Sequence, residues 1–125
     1  MSESKLGTVV WTDLTVPNAE EVRDFYMNVV GWTFSGMDMD GYEDFVMTPP
    51  GGDEAVGICF ERGANQGTPP VWMIYVAVPD VESAMQKVEA NGGKVLRKPK
   101  EGSSHKYAVI QDPAGAIMAL FETAE

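Results

Sequence analysis

Residues 8–18 read TVVWTDLTVPN, and residues 71–80 read VWMIYVAVPD. Each stretch has the apolar, β-branched character of a strand, and each ends in a proline followed by a residue that commonly begins a helix, Asn18 or Asp80. These two residues lie 62 positions apart. The spacing indicates an internal repeat, so the chain is best interpreted as two copies of one structural unit.

A helical pattern follows each of these residues. Apolar side chains recur at helical spacing in both copies, namely Ala19, Val22, Tyr26 and Val29 with Phe25 and Val30 beside them, and Val81, Ala84, Met85 and Val88. Glu21 stands three residues after Asn18, which predicts a capping box. Glycines at position 31 and at positions 92–93 predict where the two helices end.

Three shorter strands are predicted after each helix. Residues 32–35 and 94–97 form the first of them, and tight turns follow at the sequences PPGG (49–52) and DPAG (112–115). Each copy therefore reads β-α-β-β-β. We expect a single domain, 1–125, with module one at about 6–62, a linker at about 63–70 and module two at about 71–122, because one such unit buries little core alone.

Composition excludes several classes of function. The net charge is −10 with nine basic residues, so nucleic acid is not an expected partner; the short basic cluster at 94–100 is interpreted as a solvated strand end. No apolar run approaches the roughly 20 residues of a membrane span, and the N-terminal residues do not resemble a signal peptide. We expect a cytoplasmic protein. Because the chain has one cysteine, Cys59, it can form neither an intrachain disulfide nor a zinc cluster made of thiolates. Cys59 itself is interpreted as a small buried hydrophobic residue.

These segments together resemble the vicinal oxygen chelate superfamily, which includes glyoxalases, bleomycin-resistance proteins and extradiol dioxygenases. The opening strand leads to Asp24-Phe25-Tyr26 and then to Gly31-Trp32, which is similar to the family's "FY…GW" pattern. The segment around Asp112-Pro113-Ala114-Gly115 is similar to its closing "DPxG" hairpin. The run Tyr75-Val76-Ala77-Val78-Pro79-Asp80-Val81 resembles the start of the family's second module. The resemblance covers roughly residues 6–122 and rests on these three motifs, which occur in the family's order and spacing.

The resemblance implies an α+β fold of two βαβββ modules whose mixed sheet curls into a half-barrel around a cavity, with the helices outside. In enzymes of the family, residues on the inner strand faces hold a divalent metal that chelates two vicinal oxygens of the substrate. Activities include isomerisation, epimerisation, ring cleavage by dioxygen and thiol addition to an epoxide. Members without a metal bind and sequester drugs.

The positions that match the family's metal ligands hold other residues in this chain. Three of them are Trp11, Met73 and Ala119, and the fourth falls within residues 56–58, which hold no carboxylate. Indole, thioether and methyl groups are poor ligands for Mg, Mn, Ni or Fe(II). Glu122 is three residues from Ala119 and should face the other side of the sheet. We therefore expect no metal and no other cofactor.

Strand alternation predicts which residues line the cavity. They are Trp11, Asp13 and Thr15 from the first strand, Met73, Tyr75 and Ala77 from its counterpart in module two, Ala119 from the last strand, and Phe45 and Met47 if their strand presents the same face. Such a lining suits a small apolar or aromatic molecule. Asp13 could act as a base in this setting, and His105, the only histidine, could act as an acid or base.

Three hypotheses stay open at this point. The first is a glyoxalase or bleomycin-resistance-like protein that binds a small molecule without a metal. The second is a lyase, isomerase or oxygenase with a relocated site around Asp13, Tyr75 and His105. The third is a structural homodimer whose cavity is filled by Trp11 and Met73. A homodimer is expected in any case, from the resemblance and the small size of each module.

Overall fold

The computed structural model describes residues 6–100 and 106–123, apart from the side chain at position 64. Eight strands, two α-helices and a short 3-10 turn at Gly63–Asn65 occur in this part of the chain. The first module contains β1 Val9–Val16, α1 Ala19–Val30, β2 Thr33–Asp38, β3 Glu43–Thr48 and β4 Val56–Phe60. The second contains β5 Met73–Val78, α2 Val81–Ala90, β6 Lys94–Arg97, β7 Tyr107–Gln111 and β8 Ile117–Glu122. The predicted α+β class and the two βαβββ modules are confirmed.

The two modules have the same strand pairing. In the first, β2 pairs with β3 and β3 with β4 in antiparallel fashion, while β1 and β4 are parallel, with Thr15 opposite Cys59. In the second, β6 pairs with β7 and β7 with β8 in antiparallel fashion, while β5 and β8 are parallel, with Tyr75 opposite Ala119. The equivalent pairing accounts for the repeat in the sequence.

The chain forms two compact units whose boundary falls inside β1. One unit comprises residues 12–72, and the other comprises residues 1–11 together with 73–125. The start of the chain joins the second unit through its backbone, since the Gly7 N–H donates to the Ala77 carbonyl (2.8 Å) and the Ala77 N–H donates to the Thr8 carbonyl (3.0 Å). We call these the 12–72 unit and the 73–125 unit.

The helix ends follow the sequence signals unequally. Asp80 caps α2 as predicted, and its carboxylate accepts from the backbone N–H groups of Glu82 (3.0 Å) and Ser83 (3.2 Å). Asn18 accepts no such bond, and its side-chain amide donates to Glu21 (3.0 Å) instead. The predicted capping box is therefore wrong, because Asn18 and Glu21 bond to each other and neither bonds to the backbone. Gly31 ends α1 with φ 78°, a conformation that favours glycine.

Each helix packs on one face of its own module's sheet. In the 12–72 unit, Ala19 joins a core made of Leu14, Val16, Phe45, Met47 and Ile58, with Val22 and Tyr26 against it. In the 73–125 unit, Val81 and Met85 pack with Ala108, Ile110 and Leu120. Val29 does not join its core, because it is 62% exposed at the end of α1. The opposite face of each sheet carries no helix from its own module.

In the part of the chain that the structure describes, no helix has both the length and the apolar character needed to span a membrane.

Candidate functional site

The helix-free face of the 12–72 unit carries a small polar cluster. Residues of β1, β3 and β4 that alternate with the core residues point away from α1, and they include Asp13, Thr15, Asp44 and Cys59. Thr15 and Asp44 are buried, whereas Asp13 and Cys59 are half-buried. We call these four residues the acid cluster.

Asp44 is the most enclosed carboxylate of the acid cluster, at 4% exposed. It accepts a hydrogen bond from the backbone N–H of Phe60 (2.9 Å), and the Cys59 thiol donates to it as well. Sequence reasoning missed this residue, because an aspartate next to a glutamate at the start of a strand has the appearance of a solvated turn. Only the placement of β4 beside β3 encloses it.

Burial sets the protonation of this cluster. It raises the pKa of Asp44, and the hydrogen bonds from Phe60 and Cys59 offset part of that effect. Burial also raises the pKa of the Cys59 thiol, and the negative charges of Asp13 and Asp44 raise it further. Cys59 is therefore a thiol at neutral pH and a poor nucleophile, whereas Asp44 is a carboxyl group whose affinity for a proton is increased.

Phe45 and Met47 lie on the other face of the same sheet. Both are buried in the core under α1, and Met47 is fully enclosed. The guanidinium of Arg23 lies 4.3 Å from the ring centre of Phe34 and 4.7 Å from that of Phe45. The structure thus separates these two residues from Asp13 and Thr15, because the strand register places them on the face that receives the helix.

The helix-free face of the 73–125 unit is apolar. Met73, Val109 and Ala119 form a buried cluster, and Met73 is 2% exposed. Tyr75 and Tyr107 are half-buried against it, with ring centres 5.7 Å apart. Ala77 lies on the same strand face and is also buried. The structure therefore brings Met73, Tyr75 and Ala119 together, and the tyrosines form the accessible part of this face, which we call the tyrosine face.

The residues predicted to match the family's metal-ligand positions have side chains that do not fit a metal. Met73 and Ala119 lie in one buried apolar cluster with Val109, and the side chains of Met73 and Ala119 offer no nitrogen or oxygen ligand. Within residues 6–100 and 106–123, no group of three or more His, Cys, Asp or Glu side chains is close enough to bind an ion. Trp11 is half-buried. Glu122 instead accepts from the backbone N–H of Val81 (3.0 Å) at the start of α2, which confirms that it faces away from Ala119.

His105 lies outside the described residues, so its predicted role as an acid or base stays a prediction.

An aromatic cluster on the 12–72 unit was not predicted as a group. Tyr26 contacts Phe25, Trp32 and Trp72, with ring centres 5.0, 5.7 and 5.4 Å away, and the Trp72 indole N–H donates to the Tyr26 hydroxyl (3.2 Å). Phe25 is 56% exposed, and Val29 and Val30 beside it are exposed as well. We call Phe25, Tyr26, Trp32 and Trp72 the aromatic patch. The sequence separates Trp72 from Tyr26 by 46 residues, so no local signal joins them.

Comparison with known proteins agrees with this geometry. The chain is 33% identical over 122 residues to "Putative glyoxylase CFP32" of Mycobacterium tuberculosis, an alignment that spans 97% of this chain and 46% of that protein. It is 27% identical to the anthracycline biosynthesis protein DnrV of Streptomyces peucetius, over 92% of this chain and 46% of that protein. The chain thus spans about half the length of the curated relatives it matches.

Solved structures share the fold at low sequence identity. A glyoxalase/bleomycin resistance protein/dioxygenase superfamily member from Vibrio splendidus aligns with a TM-score of 0.59 and 19% identity, over 93% of this chain and 100% of that chain. Methylmalonyl-CoA epimerase from Mycobacterium tuberculosis aligns with a TM-score of 0.56 and 16% identity, over 100% of this chain and 94% of that chain. The model of one family matches residues 8–120. The chain belongs to the Glyoxalase/Bleomycin resistance protein/Dioxygenase superfamily.

Proposed function

We propose that this protein binds a small apolar or aromatic molecule at the tyrosine face, without a metal. The observation that carries the proposal is the pair Tyr75 and Tyr107 over the apolar cluster of Met73, Val109 and Ala119. Two half-exposed rings above an apolar floor favour stacking with an aromatic ligand. The positions where the family's enzymes hold a metal contribute to this floor, so the ligand is held by stacking rather than by chelation.

Titration with 1-naphthol, followed by the backbone amide shifts of β5, β7 and β8, tests this proposal. We expect saturable shifts centred on Tyr75 and Tyr107, and about tenfold weaker binding in Tyr107→Ala, since an aromatic pair contributes roughly 1 kcal/mol. Tyr42→Ala is the matched control, because Tyr42 is a half-buried tyrosine of the 12–72 unit that packs edge-on against Phe60. Equal weakening by both variants, or shifts confined to other strands, would contradict the proposal.

A second candidate function is proton transfer at the acid cluster. It is favoured by the buried Asp44 carboxyl, whose pKa is raised, and by Asp13 on the same helix-free face. A buried carboxyl group with a raised pKa and a second, half-buried carboxyl group on the same face are the side-chain types that transfer protons at a carbon acid. Methylmalonyl-CoA is a suitable probe, since one structural neighbour is a methylmalonyl-CoA epimerase in complex with it.

Exchange of the α-proton of methylmalonyl-CoA into deuterium oxide, measured by NMR, tests the second candidate. Catalysed exchange that is lost in Asp13→Asn and Asp44→Asn but kept in Asp53→Asn, an exposed loop carboxylate, would support it. Exchange at the buffer rate in the unaltered protein would leave the tyrosine face as the functional site.

We also propose a homodimer that forms through the aromatic patch. The patch and its exposed neighbours Val29 and Val30 present apolar surface that a monomer would leave in water. A second copy of this chain is the occupant we propose. The relatives that match the chain extend over about twice its length, so each has room for a second unit of this size, and a second copy would take the place of that unit. Sedimentation at tens of micromolar should show a dimer.

Two charge substitutions locate the interface. Phe25→Glu should shift the sedimentation equilibrium to monomer, because it buries a carboxylate in an apolar contact. Leu96→Glu, an equally conspicuous exposed apolar residue of β6 in the other unit, should leave the dimer intact. A monomer in the unaltered protein, or dissociation by Leu96→Glu alone, would contradict this interface.

A further inference from the structure

A cleft of about 710 Å³ lies in the 73–125 unit, on the side of the sheet that carries α2. It is distinct from the tyrosine face, which is on the opposite side of the same sheet. Its apolar floor consists of Met85 from α2, Val95 from β6 and Pro99 from the segment after β6. Met85 is buried and belongs to the core between α2 and the sheet, so this part of the floor is held in place by packing.

One wall of the cleft is basic. It consists of Lys98, Lys100 and Lys106, which flank the floor. Five of the nine basic residues of this chain fall between positions 94 and 106, although the net charge of the whole chain is −10. A positive region on a strongly negative protein attracts anions that the rest of the surface repels.

A second wall is acidic and belongs to α2. Glu82, Gln86 and Glu89 line it, at positions that recur with helical spacing and therefore share one face of the helix. The two walls do not neutralise each other, because no ion pair joins these lysines to these glutamates among the residues that the structure describes. The lining of the cleft therefore contains both positive and negative side chains together with an apolar floor.

We propose that this cleft binds a small zwitterion with an apolar body, that is, an organic acid that also carries an amine. Its carboxylate or phosphate contacts the lysines, its ammonium contacts Glu82 or Glu89, and its carbon skeleton lies on Met85, Val95 and Pro99. A molecule with only one charge would contact one wall and leave the charged side chains of the other wall without a partner. A zwitterion is therefore expected to bind more tightly than a molecule of the same size that carries only one of the two charges.

The size of the cleft sets the length of a suitable probe. A cube of the same volume has an edge of about 9 Å. The ammonium and carboxylate of extended 6-aminohexanoate are about 7–8 Å apart, given carbon–carbon bonds near 1.5 Å. Hexanoate and hexylamine have nearly the same skeleton with one charge each. These three compounds separate the contribution of each wall from that of the floor.

The test is an NMR titration of the full chain with each compound, up to about 50 mM, at low ionic strength. We expect 6-aminohexanoate to shift the amides of α2 and β6 and to bind more tightly than either single-charge compound. Added salt should weaken that binding, because the contacts are exposed to solvent. If hexanoate or hexylamine binds as tightly as the zwitterion, or if no compound shifts these amides, the proposal is overturned.

Two double variants show which charge of the ligand contacts each wall of the cleft. Lys98→Ala with Lys100→Ala should weaken 6-aminohexanoate and hexanoate by about tenfold and leave hexylamine unchanged, since each exposed charge contact contributes less than about 1 kcal/mol. Glu82→Gln with Glu89→Gln should weaken 6-aminohexanoate and hexylamine and leave hexanoate unchanged. All of these substitutions are at exposed positions, so the variants should fold. Equal effects on all three compounds would show binding by the floor alone and would overturn the charge selection.

Discussion

At the scale of single residues, Asp44 is a carboxyl group whose ionisation is altered by the fold. Its pKa is raised by burial, so the folded protein holds the proton to a higher pH than the unfolded chain does. Its ionisation in the folded state therefore costs stability. The cost is absent below the ordinary carboxyl pKa of 3.8 and grows as the pH rises through the raised pKa of Asp44.

Asp44→Asn should remove this cost. The variant keeps an oxygen to accept the N–H of Phe60 and carries no charge, so we expect its free energy of unfolding at pH 7 to exceed that of the unaltered protein by roughly 1 kcal/mol. The advantage should vanish near pH 3. Urea unfolding at several pH values measures the difference, with Asp53→Asn as a control that should show no advantage at any pH. An advantage that is constant with pH would contradict the burial argument.

Cys59 should resist alkylation in the folded protein. Burial and the nearby Asp13 and Asp44 keep it as the thiol, which is the unreactive form. We expect iodoacetamide at pH 8 to modify it at least about 100-fold more slowly than free cysteine, and at the ordinary rate in concentrated urea. Mass spectrometry over time follows the reaction. Rapid modification of the folded protein would show that the acid cluster is open and that the thiol is ionised.

At the scale of elements, the two helix starts differ although their sequences look alike. Asp80 accepts two backbone bonds and Asn18 accepts none. Asp80→Ala should therefore lower the free energy of unfolding by about 1 kcal/mol, or the melting temperature by roughly 4 °C, whereas Asn18→Ala should have a much smaller effect. Thermal unfolding by circular dichroism compares them. Equal losses would mean that Asn18 caps α1 in solution.

At the scale of the whole molecule, the family's metal chemistry is not expected in this chain. Purified without chelator or affinity metal, the protein should contain metal well below one equivalent. Its melting temperature should not rise with Mn, Ni, Zn or Fe(II). A metal that bound the folded state would raise it measurably, because a ligand at 100 times its Kd adds about 2.7 kcal/mol to the free energy of unfolding. Stoichiometric metal would contradict the match of Trp11, Met73 and Ala119 to the ligand positions, and Asp13 and His105 would be the first residues to substitute.

Much of the fold could be predicted because its signals are local. The strand-proline-cap pattern at 8–18 and 71–80, the glycine after α1 and the DPAG turn each depend on neighbours within a few residues. In that turn, Asp112 accepts from the backbone N–H groups of Ala114 (2.8 Å) and Ala116 (3.0 Å), as the motif suggests. Met73, Tyr75 and Ala119 could also be placed on one face, since alternation along a strand decides it.

The sequence by itself determined the two βαβββ modules and the membership of the superfamily. Tertiary structure decided which face of β3 receives α1, and so placed Phe45 and Met47 in the core and Asp44 in the acid cluster. It also joined Trp72 to Tyr26 and brought the lysines after β6 into the same cleft as the glutamates of α2. The physical reason is the distance along the sequence over which each interaction acts. Turns, caps and strand alternation depend on residues a few positions apart, whereas burial and charge pairing depend on residues that only folding brings together.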